Sequence, residues 1–297
     1  VYINMLTWPV ASLGWAVSLV QRASASQKRI NEFLNIRPDI ISGQKYHIDR
    51  IDSIEFKNVS FTYPDTGIKA LKNISFKIHA GEKIAIVGKT GSGKSTLAEL
   101  LLRNYDPDSG DILINGHPFK EVNLHDFREF VGYIPQEVFL FSDTVNNNIR
   151  FGQPDADIST VIKYSKTASV YDDIESLPKK FDTIVGERGV MLSGGQKQRI
   201  SIARALIKEP AALILDDCLS AVDAKTEHVI LSNFEKSWKN KTVFNITHRL
   251  FTIKNFDKIL VFDDGNLVES GKHEDIYINK SFYYDLYQLQ LKDEVNS

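Results

Sequence analysis

Residues 88–96 read GKTGSGKST and fit G-x-x-x-x-G-K-[ST], with Gly88, Gly93, Lys94 and Ser95 at the fixed positions. Glycines at this spacing admit positive φ, so successive backbone N–H groups turn inward as an anion nest. In such a nest Lys94 reaches the β- and γ-phosphates of a nucleoside triphosphate, and Ser95 ligates Mg²⁺. A second glycine pair lies in LSGGQ, at 192–196, and opens the helical run KQRISIARALIKE that Pro210 ends. Two glycines at a helix start again describe a phosphate nest. One P-loop serves one nucleotide, so the second nest calls for a second one.

These groups need elements to hold them. The apolar run Ile84, Ala85, Ile86 and Val87 is a strand feeding the glycine loop, and Thr96 followed by LAELLL is a strong helix former. Strand, loop and helix are the context that the motif requires. Upstream, IEFKNVSFTY and LKNISFKI alternate as strands, a β-rich entry to the site. Downstream, ILI at 112–114 is a strand with Asn115-Gly116 as a hairpin signal, then a short helix at 124–130 and the strand VGYIP. The strand pattern lapses over 143–182, where VIKYSKTASVYDDI reads as one helix, and returns at AALILDD, TVFNIT and KILVF. Asp264-Gly265 then turns into NLVES, and FYYDLYQLQLKDEVNS closes the chain as a helix with no chemistry assigned. The class is α/β: a P-loop core with a mainly parallel sheet, an antiparallel β subdomain, and an inserted helical subdomain at about 138–205.

Composition excludes several alternatives. Lys and Arg number 36 against 38 Asp and Glu, a net charge of −2, which argues against a nucleic-acid partner held by bulk charge. The single cysteine, Cys218, excludes an internal disulfide and a cysteine metal site, and suits core packing in a reducing compartment.

The first twenty residues carry no charge, and about 20 apolar residues is the length that crosses a bilayer. Tyr2, Trp8 and Trp15 suit membrane interfaces, and Arg22, Lys28 and Arg29 put the following end on the cytoplasmic side. A buried helix of a soluble domain is the other reading. Ile30, Phe33 and Leu34 continue a helical face as far as Pro38, and 38–53 reads as a linker into the main domain, 54–297. The chain opens on Val1 rather than methionine and is expected to be a fragment of a longer protein.

Taken together, GKTGSGKST, LSGGQ about a hundred residues later, LILDD soon after, and His248 beyond a further strand resemble the ATP-binding cassette family over about 54–275. The resemblance implies ATP as ligand, Mg²⁺ as its companion, and a head-to-tail dimer in which one cassette's signature completes the other's P-loop site. It implies that Gly88, Lys89, Thr90, Gly91, Ser92, Gly93, Lys94, Ser95 and Thr96 cradle phosphate, and that Tyr63 stacks on adenine. Ser193, Gly194, Gly195 and Gln196 then serve the opposite nucleotide. Gln136 matches the glutamine that contacts Mg²⁺ and the attacking water, at the hinge to the helical insertion. Asp216 matches the Mg²⁺-holding carboxylate, and His248 the histidine at the γ-phosphate. Residues 220–223, SAVD, match the loop that puts Asp223 at the dimer interface. DTIVGERG, at 182–189, resembles exporters, so residues 1–37 become the end of the last membrane helix and its cytoplasmic extension.

One position departs from the pattern. Most hydrolysing cassettes carry glutamate after the strand aspartate, and this chain has Asp217. A side chain one methylene shorter misplaces a positioned group by about 1 Å, which can cost on the order of a hundredfold in rate. Two expectations follow: a slow site lending its intact LSGGQ to a partner half-transporter in a heterodimer, which is favoured, or a homodimer hydrolysing at both sites. A non-transporting cassette would show coiled-coil inserts or tandem cassettes, and neither is visible in the sequence. A pure ATP sensor is permitted by Asp217 and opposed by His248.

Overall fold

The computed structural model describes residues 1–186, 192–219, 230 and 241–296. The chain forms two compact units, Val1–Ile41 and Ser42–Ser297. The first is dominated by one helix, α1 (Tyr2–Leu34), none of whose residues is buried. Its 33 residues span about 50 Å at 1.5 Å each, and it is long and apolar enough to cross a membrane. Pro9 sits inside it, and the Thr7 hydroxyl donates to the Ile3 carbonyl at 3.2 Å. The helix stops at Leu34, four residues before the expected breaker Pro38, with Asn35 as its cap.

The second unit is built on two sheets. Strands β1 (Ser53–Thr62), β2 (Lys69–His79), β4 (Ser109–Ile114) and β5 (His117–Pro118) form an antiparallel sheet in the order β2-β1-β4-β5. Along β1 the alternation is re-phased at Lys57 and Asn58, where the register shifts, so that Ile54, Phe56, Val59 and Phe61 are all buried.

The larger sheet contains β3 (Lys83–Gly88), β6 (Val131–Ile134), β7 (Ala212–Asp216), β8 (Thr242–Ile246), β9 (Lys258–Asp263) and β10 (Asn266–Gly271). Its order is β10-β9-β3-β8-β7-β6, parallel throughout except for β10. Parallel strands covered on both faces need continuous apolar runs rather than alternation. Every residue of β7 and β8 is accordingly buried, as are Ile84–Val87 within β3. The loops leaving β3, β6, β7 and β8 emerge on one edge, outside the carboxyl ends of the strands, where open α/β sheets bind ligands.

Helices complete the unit. α2 (Lys94–Leu101) follows the glycine loop, and α3 (Leu124–Phe130) is capped by the Asn123 side chain. The inserted region carries α4 (Val145–Arg150), α5 (Ile158–Thr167), α6 (Tyr171–Glu175) and α7 (Gly194–Leu206). The single helix expected over 161–174 is in fact two. Ser169 has φ +54°, and the break re-phases the chain so that Val170 and Ile174 join Val161 and Tyr164 in the core. Two further helices, His273–Ile278 and Phe282–Asn296, end the fold.

The stretch expected to be a linker packs onto the second unit from Ser42 onward. Tyr46 stacks on His117 at 3.9 Å, its backbone bridges Val122, and Lys45 pairs with Glu121 at 2.8 Å. Tyr46→Ala removes the stack, and we expect a loss of about 1 kcal/mol in denaturant unfolding of the second unit. An unchanged midpoint would mean that the segment is not held by this contact.

Candidate functional site

The P-loop nest is set by backbone conformation. Gly88, Gly91 and Gly93 have φ of 149°, 79° and 100°, and Gly93 is the left-handed N-cap of α2. Lys94 is buried, and its ammonium donates to the carbonyls of Gly88 at 2.9 Å and Lys89 at 2.7 Å. Burial lowers the Lys94 pKa, against the opposing pull of Asp217 and Asp216. The Ser95 hydroxyl donates to Asp216 Oδ1 at 3.2 Å. This joins the start of α2 to the end of β7.

Around the nest lies a cleft of ≈ 550 Å³. It brings together Tyr63 after β1, the loop residues Thr90, Gly91, Gly93, Lys94, Ser95 and Thr96, Gln136 after β6, Asp216 and Asp217 at the end of β7, and His248 after β8. The Tyr63 hydroxyl meets the Thr96 hydroxyl at 3.1 Å, and its ring packs edge-on against Phe61 and Tyr105. Gln136 Nε2 donates to Asp217 Oδ2 at 3.4 Å. Ser92 is buried within the loop, and Gly88 and Lys89 share a smaller neighbouring cavity with His248.

Two carboxylates in a half-closed cleft repel the charged state. Burial raises the Asp216 pKa, with the Ser95 hydrogen bond opposing, and the Asp217 charge adds to the rise. Burial raises Asp217 too, while His248, Arg249 and Lys94 pull it back. The His248 imidazole is lowered by desolvation and by Lys94, with Asp217 opposing, which favours its neutral form. Asp217 also holds φ +44°, a region where Asp and Asn are the best-tolerated side chains after glycine.

The LSGGQ residues do not line this cleft. Ser193 caps α7 in a reciprocal capping box with Gln196, whose Nε2 donates to Asp173 at 2.9 Å. Ser193 and Gly194 face solvent. The 220–223 segment, and residues 187–189 of the 182–189 stretch named above, lie outside the described residues.

Some cleft residues had no role in the sequence reading. Asp264 and Gly265 line the cleft from the β9–β10 turn, and Gly265 N–H donates to the Ser92 carbonyl at 3.2 Å. That turn was legible, but nothing local says that it abuts a loop 170 residues earlier. For metal, the site offers a hydroxyl and a carboxylate rather than a cluster, and among the described residues no group of three His, Cys, Asp or Glu is assembled. Hard oxygen donors in small number suit Mg²⁺, which retains waters and takes phosphate oxygens.

A parallel sheet, a glycine nest feeding a helix, and an aspartate-ended strand beside it define a P-loop nucleotide-binding ATPase domain with an inserted helical region. The chain belongs to the ABC transporter family, whose model matches residues 71–220. It is 44% identical over 291 residues to a probable multidrug resistance ABC transporter ATP-binding/permease protein, YheI, of Bacillus subtilis, covering 98% of this chain and 50% of that protein. It is 40% identical to an ATP-dependent lipid A-core flippase of Syntrophus aciditrophicus, covering 98% and 48%. Among solved structures, a bacterial Atm1-family ABC exporter with ATP bound superposes with a TM-score of 0.89 at 37% identity, over 97% of this chain and 51% of that one. The chain spans about half the length of these relatives.

The raised Asp217 pKa has a stability consequence. Because the folded value lies above the unfolded one, ionisation opposes folding at neutral pH, and this opposition fades as pH falls through the folded value. Asp217→Asn, which keeps the size and tolerates positive φ, is expected to raise Tm by about 2 °C at neutral pH and by less on acidification. An equal gain at both pH values would contradict the electrostatic cause.

Proposed function

We propose that this chain is the ATP-hydrolysing part of an exporter-type half-transporter, in which ATP draws two cassettes together head to tail and hydrolysis releases them. The observation that carries the reading is a division. One cleft holds Lys94, Ser95, Gln136, Asp216, Asp217 and His248, while Ser193–Gln196 lie outside it with Ser193 and Gly194 open to solvent. A second cassette offering the same solvent-facing signature would close the γ-phosphate side.

In this mechanism the N–H groups of the loop and Lys94 hold the triphosphate, and Tyr63 takes the adenine. Ser95 and Asp216 are the oxygen donors that would hold Mg²⁺, which when bound neutralises charge on the β- and γ-phosphates. Gln136 and Asp217, 3.4 Å apart, orient the attacking water, and Asp217 accepts its proton. His248, neutral by its lowered pKa, donates to the γ-phosphate.

Membrane coupling is part of the proposal. α1 would be the end of a membrane helix, with the cassette on the cytoplasmic face of the inner membrane and Arg22, Lys28 and Arg29 on that side. Phe139, Phe141 and Phe151 form an exposed aromatic cluster three residues and more beyond Gln136, with Phe141 and Phe151 at 4.6 Å, and Arg204 lies over both rings. An apolar patch beside the Gln136 hinge suits docking of the protein's own membrane domain. Relatives named for multidrug resistance and lipid A-core flipping support an amphipathic cargo.

The short Asp217 side chain supports a slow site in a heterodimer with a second half-transporter, and the intact signature then serves the partner's nucleotide. The approach of Gln136 to Asp217 supports the other arrangement, a homodimer active at both sites. Asp217→Glu in the full transporter decides between them. On the slow-site reading kcat for ATP rises by about tenfold or more. No change, or a fall, would sink that reading and leave the symmetric one.

A further inference from the structure

The helix Phe282–Asn296 is pinned to the fold by Tyr283, which is fully buried and whose hydroxyl meets His273 Nδ1 at 2.8 Å, and by Tyr287, packed on Phe251 at 4.9 Å. From this anchorage it reaches the nucleotide site at two places. Lys89 of the P-loop lies over the Phe282 ring, with 5.0 Å to its centroid. Two turns on, the Gln290 amide closes on the backbone that follows β8: Nε2 donates to the His248 carbonyl, and Oε1 accepts from Leu250 N–H at 2.9 Å. Lys89, Thr247, His248, Leu250, Leu286 and Gln290 share one small cavity behind the cleft.

We propose that Gln290 is a positioning residue for ATP hydrolysis, acting through His248. The two-point clamp fixes the main chain on both sides of Arg249, and with it the direction in which the imidazole enters the cleft. The chemistry suits this side chain. A carboxamide carries a donor and an acceptor on adjacent atoms of one planar tip at the end of a long stem; glutamate accepts and lysine donates, so either leaves one backbone group unmatched. The remainder of the loop has its own ties. Thr247 N–H donates to the Ile86 carbonyl at 3.2 Å and holds the start of the loop to β3, while Arg249 N–H to the Thr247 hydroxyl at 3.0 Å and the Thr252 hydroxyl to the Arg249 carbonyl at 2.9 Å are local and turn with the loop. Beyond Thr247, the Gln290 bonds are the ones among these that reach out to a separately anchored helix. Reorientation of one imidazole affects the γ-phosphate step and leaves the adenine and the P-loop contacts in place, so the effect belongs in kcat rather than in KM.

The inference rests on the reading of His248 as the group at the γ-phosphate, and one set of variants of the full transporter tests both. Gln290→Met keeps length and volume and removes both hydrogen bonds. It is expected to lower kcat by about tenfold while KM for ATP stays within about twofold. Gln290→Glu, retaining one of the two bonds, should fall between. In a His248→Ala background, Gln290→Met should change kcat by less than about twofold, since the group it positions is gone. Unchanged kcat in Gln290→Met, or the same fold-loss in both backgrounds, overturns the positioning role. If instead His248→Ala alone leaves kcat unaltered, the assignment of His248 fails, and the clamp is then merely structural.

Discussion

Everything at the cleft depends on backbone meeting backbone at two glycines. A Cβ on Gly88 would lie 2.1 Å from the Phe262 carbonyl oxygen at the end of β9, and one on Gly93 would lie 2.5 Å from the Ala70 carbonyl oxygen in β2. No side chain fits either gap. The loop is therefore wedged between the parallel sheet and the antiparallel sheet, and its nest of N–H groups is a product of both. The same wedge aims α2, and so fixes Lys94 beneath the loop and Ser95 against Asp216. Gly265 adds a third strut by donating to Ser92, and is itself held through its carbonyl by Lys72 N–H at 2.7 Å.

Charge is the second constraint. Asp216 and Asp217 are adjacent in a cleft that is only partly solvated, and each has its ionised form opposed by burial. Lys94 is the ammonium that both feel, and it is itself held below its ordinary range by burial. Such a set is poised rather than neutralised: under the proposed function, a triphosphate bound here with its cation would change the field at all three groups together. The positive φ of Asp217 sits at this point of electrostatic tension, where local backbone cost is commonly found.

The signature shows a different economy. Its helix start is self-sufficient, since Ser193 and Gln196 cap one another, and Asp173 ties Gln196 and Arg199 at 2.9 and 2.7 Å to α6. A rigid cap with an outward-facing glycine is an apt surface for a ligand presented by another molecule. The split between α5 and α6 at Ser169 matters here, because it is what turns α6 so that Asp173 faces α7.

The glycine nest, the strand before it, the helix after it and the aspartate-ended strand were all legible in the residues, because each is specified by contiguous side chains whose chemistry and φ preference act locally. So were the strand alternation and the lapse of strand pattern at the helical region. The tertiary structure decided what depends on distant partners. Ser169 breaks an apparently continuous helical period because the core needs Val170 and Ile174, and the stretch after Ser42 docks because Tyr46 finds His117 some seventy residues on. Asp264 and Gly265 become part of the cleft only once β9 lies beside β3. Gln290, in a helix whose pattern announces nothing but packing, meets His248 across 42 residues. A motif encodes which group can do the chemistry; which backbone holds that group still is set by chain closure over distances that no local pattern records.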